Sequence, residues 1–225
     1  MLIFSLESTS YQKESNVWSI ISAAGWPIWP LIFASVVAVA IVFERTWALR
    51  RKDIIPGNLA TDVCRTLAQF KDKQNLARLA DHSPLGGLMA SGIGAFFQHK
   101  NIEAAMQNKA AGIQIKLEKH LDVLSMIASA APLMGLLGTV IGMIEIFTVQ
   151  GSATQSPEAI ASGIAVALYN TAFGLIVAIP ALVAYRLFRL RINSLLEDLG
   201  TEVQPLEELL SQQTKATTRP AKAST

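Results

Sequence analysis

The stretch L-S-M-I-A-S-A-A-P-L-M-G-L-L-G-T-V-I-G-M-I-E-I-F-T-V at residues 124–149 decides the fold class, because it is long and apolar and carries a single charge. About 20 such residues let a helix cross the hydrocarbon core of a bilayer. Two similar blocks, at residues 26–43 and about 160–185, contain no charged side chain. Uniformly apolar spans satisfy their backbone polar groups as helices, whereas barrel strands alternate. The sequence therefore predicts an all-α polytopic membrane protein with three transmembrane helices.

The basic residues predict how these helices are oriented. Of 19 Lys and Arg residues, 18 lie in the segments 44–123 and 186–225, and the positive-inside rule assigns both segments to the cytoplasm. The segment before the first span holds only Lys13, and the loop at 150–157 holds no charge. Those two segments are expected on the outer side of the membrane.

A cleaved signal peptide is the alternative for the first span, because Ala38-Val39-Ala40 resembles a cleavage site after an apolar run. Signal peptides carry their basic residues before the run, whereas Arg45 follows it, and this order favours an uncleaved helix. The predicted organisation is then an external N-terminus with an interfacial helix (1–25), transmembrane helix 1 (26–43), a cytoplasmic helical domain (44–123), transmembrane helix 2 (124–149), an external loop (150–157), transmembrane helix 3 (158–185), a cytoplasmic helix (186–212) and a disordered tail (213–225).

Helical spacing of apolar residues continues outside the membrane. Ser83-Pro84 and Ser156-Pro157-Glu158 are typical helix starts. No Pro or turn cluster interrupts the pattern between Ile102 and Pro132, so one helix of about 72 Å is expected from residue 102 to 149 at 1.5 Å per residue. Gly200 and Pro205 weaken the helical pattern after the third span.

Small residues form one stripe on each of the last two spans. In span 2 they recur at three- and four-residue steps, and span 3 repeats the pattern. Such stripes let helices approach closely in lipid. The simplest interpretation is helix packing alone, and two stripes on consecutive spans favour an assembled bundle or ring. The candidate packing residues are Gly135, Gly138, Gly142, Gly163 and Gly174.

Three polar residues within the spans are candidates for chemistry. Thr139 and Thr171 lie near the middle of their spans, where a hydroxyl can relay protons, bind water or bond its own helix carbonyl one turn back. Glu145 is an ionisable group within a span, which is costly unless it meets water or a partner. Either Glu145 is functional, or it lies near enough to the outer interface to be hydrated.

The remaining sequence gives no sign of an enzyme or a cofactor site. His82, His99 and His120 stand far apart with no Cys or acid at ligand spacing, so neither a metal nor another cofactor is expected. No phosphate loop, nucleophile elbow or H-E-x-x-H pair is present. The cytoplasmic basic residues are mixed with acids and do not favour nucleic-acid binding. A lipid bilayer is therefore the first partner that the sequence implies.

Three segments resemble the MotA/TolQ/ExbB proton-channel family, specifically its ExbB-like members. They are F-E-R-T-W-A-L-R-R-K at 43–52, A-P-L-M-G-L-L-G-T-V-I-G-M-I at 131–144 and G-I-A-V-A-L-Y-N-T-A-F-G-L-I-V-A-I-P-A at 163–181. The resemblance extends from residue 25 to about 210. It implies a bacterial inner-membrane protein with a periplasmic N-terminus and a cytoplasmic C-terminus.

The resemblance also implies partners and a function. Five copies would surround the transmembrane helices of two ExbD-like subunits, whose membrane aspartate carries the proton. Proton flow would drive motion that passes through a TonB-like protein to outer-membrane transporters. Thr139 and Thr171 match the family's threonines along the proton path.

One position departs from the family pattern. ExbB and TolQ carry a glutamate five residues before the threonine of the third span, and Val166 stands there in this chain. Glu145 is expected near the same depth, about 9 Å along its helix from Thr139, which suggests a relocated carboxylate. A TolQ-like envelope motor, a non-conducting membrane scaffold and an intramembrane enzyme are the other functions to weigh.

Overall fold

The computed structural model describes residues 26–148 and 157–218, and these residues form helices and short connections with no strand among them. The predicted all-α fold is therefore confirmed. The predicted interfacial helix at 16–25, nearly all of the external loop at 150–157 and residues 219–225 of the predicted tail lie outside the described residues.

Within the described residues, three helices are long and apolar enough to cross a membrane: α1 (Ile28–Ala48), α7 (Leu121–Thr148) and α8 (Pro157–Thr218). Only 22 to 29% of their most apolar windows is buried. The exposed side chains include Phe33, Leu133 and Leu168. Apolar surface of this extent suits lipid or further helices rather than water.

Five α-helices and one 3-10 helix separate the first span from the second. They are α2 (Arg51–Ile54), α3 (Leu59–Arg65), the 3-10 helix (Leu67–Lys71), α4 (Lys73–His82), α5 (Pro84–Phe97) and α6 (Ile102–Glu118). The predicted start of α5 is confirmed, because the Ser83 hydroxyl accepts a hydrogen bond from the Gly86 N–H at 3.0 Å and Pro84 follows. Asn101 caps α6 in the same way through the Ala104 N–H.

The predicted single helix from residue 102 to 149 is wrong. The chain leaves helical geometry at Lys119 and His120, and His120 adopts a left-handed φ of 65°. Histidine enters this region more readily than β-branched residues do, but no Gly or Pro marks the break in the sequence. The Arg45 Nη1 donates a hydrogen bond to the Leu117 carbonyl at 3.1 Å. This carbonyl belongs to the last turn of α6, where carbonyl groups have no N–H donor within the helix.

Helix α8 starts at Pro157 as predicted and runs through Pro180, Gly200 and Pro205 to Thr218, past the boundary predicted at residue 212. Gly200 and Pro205 predicted a weakened helix. Burial of one helix face in the folded protein outweighs the low helix propensity of these two residues. One face of its second half is buried at every three or four residues: Ile192, Leu195, Leu199, Val203, Leu206 and Leu210.

The chain divides into two compact units, whose described parts are residues 26–42 with 120–148 and 157–186, and residues 43–119 with 187–218. In the first unit the three spans meet at Leu31, Ala131 and Ala178, each at most 4% exposed. In the second unit α5 packs against α4 and α6. Gly92 of α5 lies against the Met106 sulfur, where a Cβ would be 2.7 Å away.

Candidate functional site

The backbones of α7 and α8 touch along the two small-residue stripes. A Cβ built on Gly135 would lie 2.7 Å from the Asn170 carbonyl oxygen and 3.2 Å from the Gly174 Cα. A Cβ on Gly174 would lie 2.6 Å from the Ala131 carbonyl oxygen. The two distances to carbonyl oxygens, 2.7 and 2.6 Å, are too short for a real Cβ, so only glycine permits this approach. We call this contact the α7–α8 seam.

The seam is antiparallel and lies within one chain. Gly135 faces Thr171 and Gly174, Gly138 faces Asn170, and further along a Cβ on Gly142 would make an ordinary contact of 3.6 Å with the Ala167 Cβ. Gly163 is half-buried on α8 beyond this point. Helix packing was the simplest interpretation of the stripes, and Gly135, Gly138, Gly142 and Gly174 do pack against the neighbouring span of the same subunit.

The two candidate threonines flank the seam at one level. Thr139 follows Gly138 and Thr171 follows Asn170, and both threonines are half-buried. The Thr139 hydroxyl donates to the Leu136 carbonyl of its own helix at 2.7 Å, which is the local bond that the sequence left open. A hydroxyl that donates one bond still has oxygen lone pairs that accept. Thr139 can therefore accept a hydrogen bond from a group outside the subunit.

A surface groove of about 390 Å³ begins beside Thr139 and follows α7 towards its C-terminal end. Its lining is apolar apart from two hydroxyls and consists of Thr139, Val140, Met143, Ile144, Phe147 and Thr148. Thr139 therefore lines an open surface as well as the edge of the seam, and another membrane helix can contact it there.

Glu145 lies on α7 and Val166 on α8, and their side chains fall outside what the structure describes. The backbone register still relates the two positions. Because Gly142 faces Ala167, antiparallel continuation brings residue 145 opposite about residue 164, roughly 3 Å along α8 from residue 166 at 1.5 Å per residue. The expected depth of Glu145 is thus close to that of Val166.

Asn170 is a polar residue of this region that the sequence analysis did not single out. Its side chain is buried in the seam with 2% exposure and packs directly over Gly138. The signal in the sequence is a lone carboxamide in a span without charge. A polar side chain between two spans, like a charged one, is costly in lipid unless it is satisfied.

Comparisons with known proteins support the resemblance. The sequence profile of the MotA/TolQ/ExbB proton channel family matches residues 80–200, which include the whole seam. The biopolymer transport protein exbB1 of Vibrio cholerae is 31% identical over 174 residues, covering 74% of this chain and 76% of the relative. The biopolymer transport protein ExbB of Aquifex aeolicus is 31% identical over 133 residues, covering 56% of this chain and 90% of the relative.

A protein of the Tol-Pal system is also similar. TolQ of Haemophilus influenzae is 39% identical to the chain over 98 residues, which cover 43% of each protein. The shared segment is shorter than in the two biopolymer transport proteins, although its identity is higher.

Proposed function

The chain belongs to the MotA/TolQ/ExbB proton channel family, and we propose that it is the channel and stator subunit of an ExbB–ExbD type inner-membrane motor. The motor converts proton motive force into mechanical work for TonB-dependent outer-membrane transport. The observation that supports this proposal is the Gly138–Asn170 contact, because Thr139 and Thr171 directly follow these two residues in their helices. The names of the two biopolymer transport relatives support the ExbB assignment.

The threonines act in this motor without ionising. A partner subunit with one transmembrane helix carries the proton on a membrane aspartate. In its protonated form that carboxyl donates a hydrogen bond to a threonine oxygen. The threonines thus stabilise the protonated carboxyl inside the bilayer. The groove beside Thr139 supports this role because it gives a partner helix access to this residue from outside the subunit.

The assembly is a homopentamer around the single-span partner, with the N-terminus in the periplasm and the C-terminus in the cytoplasm. The exposed apolar faces of the three spans supply surface for lipid, for neighbouring copies and for the partner. The distribution of Lys and Arg supports the orientation. The chain contributes positioned hydroxyls and helix surfaces to transport, and this is the role of a channel subunit rather than of an enzyme.

A TolQ-like role in envelope maintenance is the second candidate, favoured by the identity of 39% with the Haemophilus influenzae protein. The two functions differ in the process that the motor energises, so a genetic test separates them. Expressed with its own single-span partner in a strain lacking both the ExbB and TolQ systems, the chain should restore TonB-dependent uptake of iron-siderophores. Restored detergent resistance without restored uptake would assign it to the Tol role instead. Restoration of neither process would favour the non-conducting scaffold.

A further inference from the structure

Asn170 is a buried polar side chain that enters the proposed function only through its contact with Gly138. Among the described residues only three polar or charged side chains are buried: Arg45, Ser83 and Asn170. Arg45 and Ser83 have helix-end partners. Asn170 instead lies in the membrane seam, where an alanine would avoid the cost of burying a carboxamide. A specific packing role would account for its presence at this position.

The Asn170 side chain and Gly138 are matched in size. A Cβ built on Gly138 would lie 2.9 Å from the Asn170 Cβ, 3.0 Å from its Cγ and 3.1 Å from its Nδ2. The side chain of Asn170 therefore occupies the volume that a side chain at residue 138 would need. Asn170 fills the space that Gly138, having no side chain, leaves open.

The rest of the seam does not fix its own register as firmly. Its contacts join small residues such as Gly135, Gly142, Ala167 and Gly174. Small residues recur at every turn of both helices, so a slip of one turn, about 5.4 Å, exchanges one small contact for another. Asn170 would have to leave Gly138 in such a slip. The Asn170 side chain, packed against Gly138, thus selects one register among several similar ones.

We propose that Asn170 is a positioning residue that fixes the register of α7 against α8 and thereby holds Thr139 and Thr171 at one depth. The register part of this inference stands on the contacts alone. The part that concerns the threonines rests on the proposed function, because it assumes that both hydroxyls serve one proton path.

A disulfide between residues 142 and 167 can report the register. A Cβ built on Gly142 would lie 3.6 Å from the Ala167 Cβ, within the range of about 3.5–4.5 Å that disulfides require. We would introduce Gly142→Cys and Ala167→Cys into a Cys64→Ser chain, co-express it with its single-span partner and oxidise native membranes mildly. The bond forms within one chain, so its yield is read from the mobility of the monomer.

The size match is tested by a cycle of variants in this reporter. Gly138→Ala should lower the disulfide yield several-fold, because the new Cβ collides with Asn170. Asn170→Gly alone should also lower the yield, since the space over Gly138 is then empty. Combined with Gly138→Ala, Asn170→Gly should restore most of it. Asn170→Ala should not restore it, because the alanine keeps the Cβ that lies 2.9 Å away.

Gly200→Ala on the same helix is the control, because a Cβ there meets nothing within 4 Å. Native mass of each complex with the partner shows that a low yield does not reflect failed assembly. An unchanged yield in Asn170→Gly, or equal rescue of Gly138→Ala by Asn170→Ala, would overturn the register role.

Proton uptake by proteoliposomes, measured on the same variants without the reporter cysteines, tests the second part. Proton uptake should fall in Gly138→Ala and in Asn170→Gly, and it should recover when the two changes are combined, as the disulfide yield does. Uptake that stays at the wild-type rate while the yields change would overturn the link between register and proton transfer. If the wild-type complex takes up no protons, the proposed function fails, and the disulfide yields still decide the register role.

Discussion

A single hydroxyl decides what Thr139 can contribute, because its proton is already committed to the Leu136 carbonyl. The oxygen keeps its capacity to accept, so the residue offers a fixed acceptor in a region with few polar atoms. Local bonding therefore orients the hydroxyl for this role. The same hydrogen bond lowers the cost of burying a hydroxyl in an apolar helix, where a hydroxyl without a partner would be unfavourable.

Replacing either threonine by valine removes this acceptor and keeps a similar shape. A hydrogen bond lost from the path is worth about 1.5 kcal/mol, so Thr139→Val and Thr171→Val should each slow proton uptake at least roughly tenfold. Proteoliposome uptake by the partner-bound complex measures this, and native mass should be unchanged. Thr201→Val is the control, because Thr201 makes the same kind of local bond, to the Glu197 carbonyl. Wild-type rates in both membrane variants would remove the threonines from the path.

Glu145 tests whether a carboxylate on α7 can replace the family's glutamate on α8. If it substitutes for the glutamate missing at Val166, Glu145→Gln should reduce proton uptake several-fold, and adding Val166→Glu should restore part of it. The register supports this pairing, since the two positions lie at nearly one depth. Wild-type uptake in Glu145→Gln at several pH values would instead identify Glu145 as a hydrated interfacial residue.

At the scale of the element, the break between α6 and α7 is the feature that sequence could not reveal. Helix starts at Ser83-Pro84 and Pro157 were predictable, because a capping hydroxyl and an N-terminal proline mark them locally. The break at Lys119 and His120 has no such mark and coincides with a long-range bond from Arg45 to Leu117. The glycine stripes were likewise visible in the sequence, but spacing along one helix does not say which helix it will meet.

Removing the Arg45 guanidinium should loosen the last turn of α6. Arg45→Gln cannot cap the Leu117 carbonyl in the same way, and a buried group that loses its partner costs about 1–3 kcal/mol. Amide exchange in residues 114–120 should therefore become faster, while α5 stays protected. Arg51→Gln is the matched control, because the Arg51–Asp198 ion pair of 3.2 Å is partly exposed and such pairs contribute about 0–1 kcal/mol. Equal exchange in the two variants would contradict the capping role.

At the scale of the whole molecule, the predicted orientation can be read from thiol accessibility. A membrane-impermeant maleimide added from the periplasm should label Ser152→Cys and miss Cys64. Burial raises the pKa of the Cys64 thiol, which lowers its thiolate fraction and slows labelling. An exposed site in the same predicted segment, Lys73→Cys, therefore serves as the second reporter, with permeabilised cells as the control. Labelling of Lys73→Cys in intact cells would reverse the orientation.

The central claim concerns the complex as a whole: this subunit conducts protons only together with a single-span partner that carries a membrane carboxyl. Proton uptake should be compared in proteoliposomes that hold the subunit alone, the complex, and the complex with the partner's membrane aspartate changed to asparagine. The account predicts several-fold faster uptake by the intact complex than by the other two. Equal uptake in all three preparations, or none in the intact complex, would contradict it.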